Sequence, residues 1–170
     1  MQPVADTIDL SEMSTRQLLA LWAQALRELR DREVVRTFNS PIGDIAEALV
    51  ALHCGGERGS FSQASWDVRT RRGDLLQVKA LRRTGAKTRR NLSPVRSDSY
   101  DAVVVVIFTE DLRVEQAICI PQPVVNELFA WRDHIAGRVI TLTKKHIDHP
   151  EVTKIGLSDE LLDTPVEAKA

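Results

Sequence analysis

The residues that most constrain this chain are 102–108, Ala-Val-Val-Val-Val-Ile-Phe, seven apolar side chains in unbroken succession. Most are β-branched, and the run is far short of the roughly 18 residues of a membrane span. A stretch this short and this uniformly apolar reads as a strand buried on both faces, which needs a covering layer on each side. Segment 101–108 is therefore expected at the centre of an α/β fold, a mixed sheet with helices on both faces. A length of 170 residues suits one compact domain with an extra element at an end.

A hairpin is written just upstream. Segments 66–70 and 75–81 flank Arg71-Arg72-Gly73, with Asp74 beginning the return. A three-residue hairpin loop usually ends at positive φ, and Gly73 fills that place. Pairing Thr70 with Asp74 then sets Asp67 opposite Gln77 on one face, with Lys79 two residues further along it. The stretch 82–100 is polar and long enough for a crossover, so 75–81 and 101–108 are expected to be parallel neighbours.

Helices are marked on either side. Ser14-Thr15-Arg16-Gln17 has the form of a capping box. Leu18, Trp22, Ala25 and Leu29 follow at helical spacing, predicting a helix to about Arg32 whose Trp and Leu stripe joins the core. A second helix opens at Ser40-Pro41, with Ser40 as cap, and stops at Gly55-Gly56. Glu47 lies in it among Gly43, Ala46, Ala48 and Ala51, small side chains that let another element come close. A short strand is expected from Phe61, strands over 113–120 and 138–142, a helix over 121–135 ended by Gly137, and a short last helix capped by Thr143. The organisation read from this is an accessory N-terminal helix packed on the core (1–39), a core domain (40–157) and an acidic, disordered tail (158–170).

The net charge of −1 hides an asymmetry. Between Arg69 and Arg96 ten cations stand against the single acid Asp74, so this segment carries +9 and the rest of the chain −10. Cations gathered in one stretch could hold a polyanion, or form only a solvated loop. The candidates for nucleic-acid contact are Arg71, Arg72, Arg82, Arg83, Lys87, Arg89, Arg90 and Arg96. Cys54 and Cys119, far apart and in unrelated contexts, read as reduced thiols. With no signal-peptide pattern at the start, the chain is expected in the cytoplasm. His53, His134, His146 and His149 read as spectators, since no further ligands accompany them.

An acid opposite an amide and a lysine, with a helical carboxylate upstream, has a chemical use. A hard cation such as Mg²⁺ or Mn²⁺ takes oxygen ligands, here Asp67, the Gln77 side-chain oxygen, the Val78 carbonyl and Glu47. Such an ion neutralises a phosphodiester and activates water, while an ammonium such as Lys79 steadies the developing charge. Asp67 followed by Gln77-Val78-Lys79 resembles the PD-(D/E)XK motif of the nuclease superfamily, with Glu47 as its upstream helical acid. The order of elements from about Ser40 to Phe108 is similar to that family's core. Residues 39–47, Trp66-Asp67-Val68-Arg69, Leu76-Gln77-Val78-Lys79-Ala80 and Ser93-Pro94-Val95-Arg96 also resemble an uncharacterised bacterial domain of unknown function near this superfamily. Trp66 stands where the motif has proline. Gln77 replaces its second acid, as in Mrr-type restriction nucleases, and removes one negative charge from the site. The resemblance implies a restriction-endonuclease-like fold and a Mg- or Mn-dependent endonuclease hydrolysing DNA in restriction, repair or defence. The alternative is a nucleic-acid-binding module that keeps the fold without cutting. DNA is the expected partner, with RNA behind it; no membrane is expected, and a second copy of the chain is a further candidate.

Overall fold

The computed structural model describes residues 8–60, 65–85 and 91–163. In chain order its elements are α1 (Thr15–Asp31), α2 (Ile42–His53), β1 (Glu57–Arg58), β2 (Val68–Arg69), β3 (Leu75–Arg82), β4 (Ala102–Phe108), β5 (Val114–Pro121), α3 (Gln122–Leu128), β6 (Trp131–Arg132), β7 (Gly137–Arg138), α4 (Lys144–Ile147) and β8 (Thr153–Ile155). A six-stranded mixed sheet runs β1-β2-β3-β4-β5-β8, and β6 and β7 form a separate small ribbon. β3 and β4 are parallel neighbours and the other pairs are antiparallel. The mixed sheet with helices on both faces and an N-terminal helix is thus present as expected.

All seven residues of β4 are buried. Alternate side chains feed two cores: Val104, Val106 and Phe108 meet α2, whereas Val103, Val105 and Ile107 meet α3. Each such side chain contributes on the order of 1.5–3 kcal/mol through burial, so this strand anchors the domain. β3 is fixed to it by register, Leu76 opposite Ala102, and by Asp101, whose carboxylate accepts the Leu75 N–H at 2.7 Å. α2 ends as its glycines predict. Gly55 sits at φ +57°, its N–H donating to the Leu52 carbonyl and that of Gly56 to the Ala51 carbonyl. Gly56 also allows a close approach, since a Cβ there would lie 2.2 Å from the Arg69 carbonyl oxygen.

Several expectations are corrected. The capping box of α1 forms, but its apolar stripe is not core: Leu26 alone is buried, while Leu18, Leu19 and Trp22 face solvent. Ser40 makes no capping bond, and α2 begins after Pro41. The helix expected over 121–135 stops at Leu128, because Phe129 is extended (φ −127°) and the chain turns back as the β6–β7 ribbon. The strand expected over 138–142 survives as β7 and two isolated bridges, Val95 to Arg138 and Asn91 to Thr141. Thr143 precedes α4 without a side-chain cap. Of the tail, residues 158–163 are described: they hold a short 3-10 turn (Asp159–Leu162), and Arg113 pairs with Asp159 (2.9 Å) and Asp163 (3.4 Å). The expected strand from Phe61 falls outside the described residues, as do Lys87, Arg89, Arg90 and the last seven positions. No helix among the described residues is long and apolar enough to cross a membrane.

Candidate functional site

The hairpin between β2 and β3 has the register deduced from its glycine. Val68 lies opposite Leu76 and Arg69 opposite Leu75, where the paired residues of β2 end. The Thr70 N–H donates to the Asp74 carbonyl, and Gly73 stands at φ +96°. Beyond the paired residues, Asp67 replaces the ladder with its own groups. Its N–H donates to the Leu76 carbonyl at 2.8 Å, and its carboxylate accepts the Val78 N–H at 2.7 Å. The N–H and C=O of a strand residue project to the same side, so the Val78 carbonyl also faces the edge where Asp67 stands.

Glu47 reaches this edge from α2. Glu47 and Asp67 line one polar pocket of about 130 Å³ with Asp44, Arg36, Gly59, Ser60 and Trp66. Lys79 lies within electrostatic reach of both carboxylates, and Arg96 within reach of Lys79. Gln77 is buried and donates its Nε2 to the Ser65 carbonyl at 2.8 Å.

The charges here are perturbed in a consistent way. Glu47 is raised above the usual carboxylate value, first by burial and then by the charge of Asp67, with Arg58 and Arg36 opposing. Asp67 is raised too, by burial, with the Val78 N–H, Lys79 and Arg36 opposing. Lys79 is lowered by burial, against the pull of Asp67 and Glu47. Loss of water outweighs the mutual repulsion of the carboxylates as the cause, since a buried charge is penalised whatever its sign.

A second layer of charges, not foreseen from the sequence, supports Glu47. Arg58 on β1 is 3.3 Å from Asp44 and 3.4 Å from Glu47, with side-chain exposures of only 12%, 15% and 21%. Its other terminal nitrogen donates to the Glu33 and Val34 carbonyls, each at 3.2 Å. Asp44 also accepts the Arg36 N–H at 2.8 Å, and the Arg36 guanidinium donates to the Gly59 carbonyl at 2.7 Å. Segment 33–37, α2 and β1 are thereby clamped around the pocket. The available signal was Asp44 three residues before Glu47, which puts both on one helical face. Nothing local marked Arg58 as their partner.

The proposed nucleic-acid contacts among the described residues do not form one surface of free cations. Arg71 and Arg72 are exposed at the hairpin tip. Arg82 is bound to the Glu110 carbonyl, Arg83 pairs with Glu115 at 3.2 Å, and Arg96 donates to the Ile135 carbonyl at 2.9 Å. His146, read as solvated, is half-buried, with Nδ1 2.7 Å from the Thr141 carbonyl oxygen and its ring edge-on to Phe129. Among the described residues no three His, Cys, Asp or Glu side chains converge as a metal cluster. The oxygens present at the pocket are the carboxylates of Asp67, Glu47 and Asp44, and Asp44 is held by backbone N–H groups and Arg58. No known family model matches the chain, and no curated protein does.

Proposed function

We propose that this chain is a metal-dependent nuclease of PD-(D/E)XK type, with a restriction-endonuclease-like core, that hydrolyses DNA phosphodiester bonds. The observation that carries the reading is Asp67, its carboxylate held by the Val78 N–H of β3, sharing a pocket with Glu47 and within electrostatic reach of Lys79. The donor set suits Mg²⁺ or Mn²⁺. Such an ion is commonly held by one or two carboxylates while it keeps several waters, and two carboxylates with the nearby Val78 carbonyl supply that much. The Gln77 side-chain oxygen would add a neutral ligand. The pocket has room for several waters.

When bound, the ion supplies charge neutralisation at the phosphate and lowers the pKa of a coordinated water. The chain's own residues do the rest. The Val78 N–H holds the Asp67 carboxylate in one orientation. Lys79, partly desolvated, presents an ammonium that steadies the charge developing on the phosphate oxygens. Arg36, in the pocket wall, adds a second cation facing an entering phosphate.

One observation favours the reading of a binding module that does not cut. Arg58 already neutralises part of Glu47, and Gln77 brings no charge, so metal affinity would be reduced. Cleavage of plasmid and oligonucleotide DNA with Mg²⁺ or Mn²⁺ separates the two. The expected result is metal-dependent cleavage lost in Asp67→Ala, with DNA binding kept. Equal cleavage by parent and variant would reject the site, and metal-independent binding without cleavage would select the module.

A further inference from the structure

A second cleft lies on the sheet face opposite α2. Its volume is about 580 Å³, within the range of small-molecule sites, and more than four times that of the carboxylate pocket. Leu81, Leu142 and Ile147 give it an apolar floor continuous with the α3-side core. Lys144 and Lys154 stand at its rim beside Arg83, with Asp148 as the single acid of the lining. Arg83 is committed to Glu115 at 3.2 Å, whereas neither lysine forms an ion pair among the described residues. Gln116 and Thr143 add a side-chain amide and a hydroxyl to the walls.

These groups define a ligand. Two ammonium groups with no ion-pair partner among the described residues call for an anion with several charged oxygens, for which phosphate is the best match. The apolar floor calls for a flat or apolar body attached to it. The amide, hydroxyl and carboxylate of the walls would be left unsatisfied by a hydrocarbon chain but can meet the edge of a base or a sugar hydroxyl. We infer that this cleft binds a nucleoside phosphate, with its phosphate at Lys144 and Lys154 and its base over Leu81, Leu142 and Ile147.

The same chemistry is offered by a free nucleotide and by one residue of a nucleic-acid strand. Geometry permits the second source. Gln77, Lys79 and Leu81 alternate onto one face of β3, so the cleft floor begins two residues, roughly 7 Å, beyond Lys79. The inference does not depend on the nuclease reading, because it draws on neither Asp67 nor a metal.

Calorimetric titration in chelator-containing buffer tests it on the intact chain. The probes are the four 5′-mononucleotides and a mixed-sequence oligonucleotide of about ten residues. Saturable binding of a mononucleotide identifies a free-nucleotide site. Binding of the oligonucleotide alone identifies a strand site. In either case Lys144→Glu/Lys154→Glu should weaken binding about tenfold or more, as loss of two phosphate contacts would, and Asp67→Ala should leave it unchanged. Circular dichroism of the double variant, whose altered side chains are both exposed, controls for folding. Absence of binding by every probe, or binding indifferent to the charge reversal, overturns the assignment. Absence of metal-dependent cleavage by the parent protein, with this binding present, would count against the nuclease reading alone.

Discussion

Two parts of the molecule invert the usual rule of burial in opposite directions. Around the pocket, Asp44, Glu47, Arg58, Asp67 and Lys79 are largely withdrawn from water. Along the first half of α1, Leu18, Leu19 and Trp22 stay in it, Leu19 at 62% and Trp22 at 52% exposure. Buried charge and exposed apolar surface are both more informative than their opposites. The difference lies in what surrounds each. The charges are enclosed by a network of named partners that offsets part of their desolvation. Among the described residues, the apolar stripe has only its later members, Leu26 and Leu29, packed on the domain. Stability therefore depends on the charges far more than on the exposed leucines.

The largest effect should come from breaking the network. Arg58→Ala leaves Asp44 and Glu47 without their shared counter-charge, and removing one partner of a buried pair costs about 3–5 kcal/mol. Urea unfolding measures this. A loss below about 1 kcal/mol would mean that these charges behave as an exposed pair.

A smaller effect, with a definite sign, should appear with pH. Glu47 and Asp67 have folded pKa values above their ordinary values of 4.5 and 3.8, so between the unfolded and folded pKa values the native state holds more protons. Their contribution is most favourable below the unfolded values and is lost as pH rises through the raised ones. Asp67→Asn, which retains an oxygen for the Val78 N–H, should flatten this part of the profile and stabilise the protein at neutral pH. Unfolding curves from pH 4 to 8 check it, and a variant less stable than the parent across that span would contradict the sign.

The smallest change should be on α1. Trp22→Gln should alter stability by no more than about 0.5 kcal/mol, as for other surface substitutions. A loss of about 2 kcal/mol or more would show that this face is covered in solution. Its dependence on protein concentration would then identify a second copy as the cover.

What was legible in the sequence was what local chemistry fixes. Gly73 set the hairpin register, Val68 opposite Leu76 and Arg69 opposite Leu75, and so brought Asp67 beside β3, where it bonds Leu76 and Val78. The run 102–108 announced a doubly buried strand, and the length of the crossover announced its parallel pairing with β3. What was not legible depends on distant partners. The segment after Leu128 carries Phe129, Trp131 and Ile135 at plausible helical spacing, yet it folds back because Val95 exchanges backbone hydrogen bonds with Arg138. Gly137 admits that contact, since a Cβ there would lie 2.7 Å from the Val95 carbonyl oxygen. β8 has three residues, too few to show a period. Arg58 follows a glycine pair and reads as part of a connector, and only the fold brings it to Asp44 and Glu47. α1 shows the opposite failure, in which a clean amphipathic pattern predicted a buried face that the described residues do not cover.

The central claim is that Glu47 and Asp67 are held together, away from water, in order to take up a hard divalent cation. Mn²⁺ titration of the nucleic-acid-free protein, followed by its paramagnetic resonance signal or by calorimetry, tests this most directly. The account predicts one saturable site in the parent, weakened as pH falls toward the raised carboxylate values and weakened in Asp67→Ala by at least about tenfold, the least expected for a lost ligand. Equal Mn²⁺ affinity in parent and variant, or no saturable site in the parent at pH above neutrality, would contradict it.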